Sequence, residues 1–105
     1  MTVSAGGASC IRSLVTGSDI TLTNSTLTDP GGWMVQLTQT GLDFTAAGNT
    51  YVSGGFGWYD ISQADAVISS DYNDFQQTKN FRLVGVTKTM AEWQGLGHDL
   101  NSTTP

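Results

Sequence analysis

The chain has 105 residues, with 4 Lys or Arg against 9 Asp or Glu and a formal net charge of -5 at pH 7. That length supports one modest core. Its four scattered cations, Arg12, Lys79, Arg82 and Lys88, form no stripe to bind a nucleic-acid backbone or an anionic membrane surface. Charged residues are only 12% of the chain, about half the usual share, and such neutral Thr-, Ser- and Gln-rich faces suit a subunit held among neighbours better than a free domain.

The start Met1-Thr2-Val3-Ser4 has neither a basic nor an apolar leader segment, so no signal peptide is expected. No stretch approaches the roughly 20 apolar residues that span a bilayer. Residues 1–17 are small and Gly-rich, with one apolar patch at Ile11, Leu14 and Val15, and read as an N-terminal arm whose patch is too short to make a helix alone. Cys10 is the single cysteine, so it offers no intrachain disulfide and no metal framework; it reads as a small apolar filler.

A β-rich domain is expected over residues 18–87. Ile20 and Leu22 alternate with Thr21 and Thr23, the period of a half-buried strand. Asp29-Pro30-Gly31-Gly32 supplies a turn, after which Trp33, Val35 and Leu37 alternate with Met34, Gln36 and Thr38. Leu42-Asp43-Phe44 begins a third extended piece, Gly48-Asn49 reads as a hairpin turn, and Thr50–Ser53 as the returning strand. Gly54–Tyr59 combines backbone freedom with three rings and reads as a bulged segment. Ser62 followed by Asp65 resembles a capping box, and Ala64, Val67 and Ile68 at helical spacing predict one short helix ending near Ser69-Ser70. Phe81 and Leu83 mark a closing strand, and residues 88–105 read as a C-terminal arm with Trp93 and Leu96 as anchors. No internal repeat is apparent at any period. The expected fold is therefore mainly β, a small antiparallel sandwich or barrel with one short helix and flexible terminal arms. Its core is expected to draw on Trp33, Val35, Leu37, Phe44, Val67, Ile68, Phe81 and Leu83.

The chemistry of catalysis is hard to assemble from this chain. His98 is the only histidine, in a Gly-flanked tail, and no G-x-S-x-G elbow is present. Asp60, Asp65, Asp71 and Asp74 lie close in sequence, but helix-start and turn roles account for them better than a carboxylate pair does. Asp71–Asp74 lacks the glycine and terminal glutamate of a calcium loop. No catalytic, cofactor or metal residue is therefore assigned. Trp58, Tyr59 and Tyr72 form a candidate platform for sugar stacking, and Ile11, Leu14, Val15, Trp93 and Leu96 are candidate interface residues.

The runs Gly41–Asn49, Tyr59–Ala66 and Phe81–Gly85 together resemble the small virion proteins of tailed bacteriophages over about the central half of the chain. The resemblance implies a non-enzymatic structural subunit of the virion, made in the host cytoplasm. Such a subunit binds capsid proteins as a decoration or cement protein, and it forms a homo-oligomer for which a trimer is one arrangement. Two other readings stand beside it: a carbohydrate-binding module or fibre adaptor using the ring platform, and a small hydrolase using Asp60 or Asp65.

Overall fold

Parallel strand pairing in this chain repeats with a step of 24 residues, shortening to 23 and then 22 where Asn80–Leu83 meets Gly57–Ile61. The computed structural model describes residues 2–4, 11–13, 19–28, 32–38, 40–52 and 56–105. Its strands in chain order are Thr2–Ser4 (β1), Ile11–Ser13 (β2), Asp19–Thr23 (β3), Thr26–Thr28 (β4), Trp33–Leu37 (β5) and Asp43–Ala47 (β6). Then follow Thr50–Tyr51 (β7), Gly57–Ile61 (β8), Val67–Asp71 (β9), Asp74–Phe75 (β10), Asn80–Leu83 (β11) and Val86–Lys88 (β12), and a helix, Met90–Gly95 (α1). Three sheets result, with strand orders β1-β4-β7-β10, β2-β5-β8-β11-β12 and β3-β6-β9. Every pairing is parallel except the terminal β11–β12 hairpin. The chain winds as a parallel β-solenoid, contributing one strand to each sheet per turn.

This corrects the antiparallel sandwich or barrel while keeping the mainly β class and the single short helix. Alternating apolar residues mark a half-buried strand without saying which strand lies beside it. Gly48 does adopt a left-handed backbone, with φ +69°, but it turns the chain round a corner into another sheet instead of folding β6 back on itself. Equivalent corners one turn away carry Asn24 (φ 49°) and Tyr72 (φ 55°). A Cβ at Gly48 would also stand 2.7 Å from Asn24 Oδ1, so both conformation and space call for glycine there. The turn predicted at Asp29-Pro30-Gly31 lies outside the described residues.

The helix expected at Ser62–Ser70 is absent. A turn at Ala64-Asp65 leads instead into β9, where Val67 faces Asp43 and Ile68 faces Phe44. An isolated two-turn helix is marginal, whereas a ready parallel edge rewards β-branched residues at once. Val67 consequently points outward and is exposed, contrary to its expected place in the core; Ile68 and Leu83 pack at the core margin, Val35, Leu37, Phe44 and Phe81 are buried in the core, and Trp33 is buried outside it, against Phe56 and Arg82.

Inside the solenoid, residues one turn apart stack. Tyr51 lies on Phe75 with ring centroids 5.0 Å apart, and Leu27 precedes both in register. Tyr59 meets Phe44, Phe81 and Trp93 edge-on. At the corner where each strand of the third sheet (β3, β6, β9) leads into the next strand of the first (β4, β7, β10), polar side chains replace this apolar stacking. Ser25 N–H donates to Asn49 Oδ1 at 3.0 Å, and Asn49 N–H donates to Asn73 Oδ1 at 3.1 Å. Each amide also reaches a carbonyl of the preceding turn, Asn49 to Leu22 O and Asn73 to Ala46 O. These buried amides satisfy corner backbone groups that no strand partner reaches.

The C-terminal residues are a lid and not an arm. Thr89 and Glu92 form a reciprocal capping box that starts α1, and this places Trp93 fully buried against Phe81, stacked at 4.4 Å and 3°. The chain then bonds to the last turn: Asp99 N–H to Ser70 O, Thr103 N–H to Asn73 O, and Phe75 N–H to Thr103 O. Within residues 1–17, β1 and β2 pair with β4 and β5 instead of reaching away; Leu14, Val15 and Cys10 lie outside the described residues. Replacing Asn73 with Ala removes the acceptor of the buried Asn49 N–H and a donor each to Ala46 O and Asp99 Oδ1. Urea unfolding should show a loss of about 3 kcal/mol or more, and a loss under about 1 kcal/mol would contradict this role for the amide.

Candidate functional site

The residues singled out from the sequence scatter when placed on the solenoid. Trp58 and Tyr59 are fully buried, so they offer no ring to a ligand; of the expected platform only Tyr72 is at the surface, 67% exposed. Strand β8 is central in its sheet, which turns consecutive large side chains into core. Among the interface candidates, Trp93 is fully buried under the lid, Leu96 is exposed beside it, and Ile11 sits on β2. A tryptophan in a Gly-rich tail marks a fold-back lid here because its indole N–H finds a buried acceptor, Asp99 Oδ2, at 2.8 Å.

The four aspartates have separate structural partners. Asp60 forms a two-pronged ion pair with Arg82, at 3.1 and 2.7 Å, and accepts from Gln36. Asp65 accepts the Gly41 N–H, Asp71 accepts from Asn101 side chain and backbone, and Asp74 accepts from Thr103 and Gln76. The Asn101 amide holds the Asp71 carboxyl below the ordinary carboxylate range. Among the described residues, no three His, Cys, Asp or Glu side chains gather as metal ligands.

A chain of hydroxyls runs through the interior: Tyr51 to Tyr59 at 2.7 Å, Tyr59 to Ser70 at 3.0 Å, and Ser70 to Asp99 Oδ2 at 2.7 Å. Asp99 is fully buried and receives further bonds from Asn73, Trp93 and Ser102. Burial pushes both phenols well above their ordinary pKa. All four groups are buried, and the relay fastens the lid to the last turn. This role for Asp99 was not legible from sequence, where Asp99 sits in an apparent tail.

Several outward regions remain. On the second sheet, Trp33 lies over Gly57, where a Cβ would fall 2.3 Å from its ring, with the Arg82 guanidinium 5.3 Å from the ring centroid and exposed Phe56 at its edge. Around the β9–β10 corner, Tyr72 borders an open hollow of about 230 Å³ whose other walls include Thr50, Asp74, Asn101 and Thr103. A larger trough of about 390 Å³ lies across the corner, lined by Thr45, Ser69, Ser70 and His98. The Tyr72 hollow is the candidate site with an unengaged aromatic side chain and several hydrogen-bonding groups converging on one space.

Comparison with known protein families, with characterised proteins and with solved structures finds no match to this chain. No helix among the described residues is long and apolar enough to cross a membrane.

His98 rests on the Trp93 ring at 4.5 Å. Burial lowers its pKa from 6.5, opposed in part by the nearby Asp99. A base with a lowered folded-state pKa binds more protons when unfolded, so its stabilising contribution is full above about pH 6.5 and falls as the pH drops through the unfolded value toward the folded one. Urea midpoints at about pH 7.5 and 5.5 should therefore fall more for the native chain than for His98→Gln; equal falls would contradict burial of the neutral imidazole.

Proposed function

We propose that this chain is a non-enzymatic structural subunit of a larger particle, of the tailed-phage virion kind that its sequence resembles, and that it joins neighbours through the open end of its solenoid. The observation that carries this reading is the difference between the two ends. At one end the lid covers the last turn with α1, the β11–β12 hairpin and the Thr103 bridge to Asp74. At the other, β1, β2 and β3 are each the edge of their sheet, paired on one side only among the described residues.

An edge strand presents a row of N–H and C=O groups ready for another strand, and a solenoid needs its terminal turns covered. Neither Pro nor Lys, the usual guards of an exposed edge, occurs in Thr2–Ser4, Ile11–Ser13 or Asp19–Thr23. The lid blocks head-to-tail stacking of copies, so self-association through these edges is head-to-head. A two-fold axis across the solenoid reverses strand direction, and the edges then meet antiparallel, the slightly stronger of the two pairings. This closes at two copies, in place of the trimer expected from sequence, and leaves the outer faces free for other particle proteins.

Light scattering across a dilution series tests the reading. The expected mass rises from 11.1 kDa to twice that value and stops, while amides of residues 19–23 gain protection from hydrogen exchange in the heavier species. A constant 11.1 kDa with freely exchanging β3 amides at every concentration would overturn it.

A further inference from the structure

We propose that the hollow beside Tyr72 binds one ring of an uncharged sugar. The argument starts from a residue in the wrong place for its own stability. At the three equivalent corners the left-handed backbone is occupied by Asn24, Gly48 and Tyr72. Asparagine and glycine accept that conformation readily; a tyrosine does not, and a bulky residue there is a conformational outlier. Burial does not compensate, because the Tyr72 side chain is 67% exposed, and no ring contact or side-chain hydrogen bond engages it among the described residues. The structure around it holds the corner firmly: Tyr72 N–H donates to Asp71 Oδ1, Gly48 N–H donates to Tyr72 O, and Asp71 is tied to Asn101. A strained residue held by its surroundings and contributing little to packing is where function is sought.

The neighbours of the ring define the ligand. The hollow is lined by the hydroxyl-bearing residues Thr50 and Thr103, the amide-bearing Asn101 and the carboxylate-bearing Asp74. Asp74 accepts one bond on each oxygen, from Thr103 at 2.8 Å and from Gln76 at 3.1 Å, and each oxygen keeps a further lone pair for an incoming donor. An aromatic face beside a carboxylate and hydroxyls matches a pyranose, which has an apolar C–H face and a rim of hydroxyl donors. Asp71 and Asp74 repel an acidic sugar, so an uncharged sugar is favoured over an anionic one. At about 230 Å³ the hollow is smaller than the roughly 300–1,000 Å³ of a drug-sized pocket, which limits it to a single ring.

The test is a titration of the full chain with maltotriose, cellotriose and mannotriose, with trigalacturonate as the anionic arm, followed by the backbone amide NMR signals of Thr50, Asp74, Asn101 and Thr103, which every variant retains. At least one neutral trisaccharide should shift them with a dissociation constant on the order of 1 mM, and trigalacturonate should not. Tyr72→Phe keeps the ring and should bind within about threefold of the native chain. Tyr72→Asn restores a residue suited to the corner, so it should fold with an unfolding midpoint equal to or above the native one while binding about tenfold or more weakly. Silence from all three neutral sugars, unchanged binding by Tyr72→Asn, or equal binding of trigalacturonate would each overturn the proposal.

Discussion

The corner amides hold this molecule in register. Asn49 and Asn73 each link two successive turns, accepting from the backbone of the preceding turn and donating to one of its carbonyls. A parallel sheet with strands as short as Thr50–Tyr51 has few ladder bonds of its own, and sheet register is otherwise free to slip. A one-residue slip would carry the apolar side chains outward. Buried amides at the same place in successive turns exclude that slip, because any other register leaves them without partners.

The same column explains why the two ends differ. Asn73, at its last step, donates to Asp99 Oδ1 as well as to Ala46 O, so the ladder runs directly into the lid. Asp99 gathers Ser70, Trp93 and Ser102 around one buried carboxylate, which has no cation beside it among these contacts and depends on those donors. Trp93 is thereby fixed over Phe81 and closes the aromatic interior. At the opposite end, β1 to β3 are sheet edges with no further strand beside them among the described residues. Closure at one end and open edges at the other give the molecule a direction, on which the proposed association depends.

What sequence could reveal follows from which interactions are local. Strand content was legible because the alternation of Trp33, Val35 and Leu37, or of Ile20 and Leu22, is a property of neighbouring residues. Strand partners were not, since Thr26 and Thr50, or Phe44 and Ile68, are joined only by the winding of the chain. The repeat leaves a faint trace once the period is known: Thr2-Val3, Thr26-Leu27, Thr50-Tyr51 and Asp74-Phe75 begin successive turns, and Ser25, Asn49 and Asn73 close them. Its conserved property is side-chain direction more than identity. The helix was displaced for a related reason: the Ser62 start lacks the Glu or Gln that Thr89 finds in Glu92, and β9 had a strand waiting for it. Of the platform residues, Tyr72 alone reaches solvent because it sits at a corner, whereas Trp58 and Tyr59 lie mid-sheet.

Contacts between residues 24 apart are the direct consequence of this architecture, and nuclear Overhauser effects measure them most directly. Cross-peaks are expected between the rings of Tyr51 and Phe75 and between the backbones of Thr45 and Ser69, with none of the antiparallel Hα–Hα peaks that a hairpin at Gly48-Asn49 would give. Strong Hα–Hα peaks between residues 43–47 and 50–52, without the contacts one turn apart, would contradict the solenoid and the account of both ends built on it.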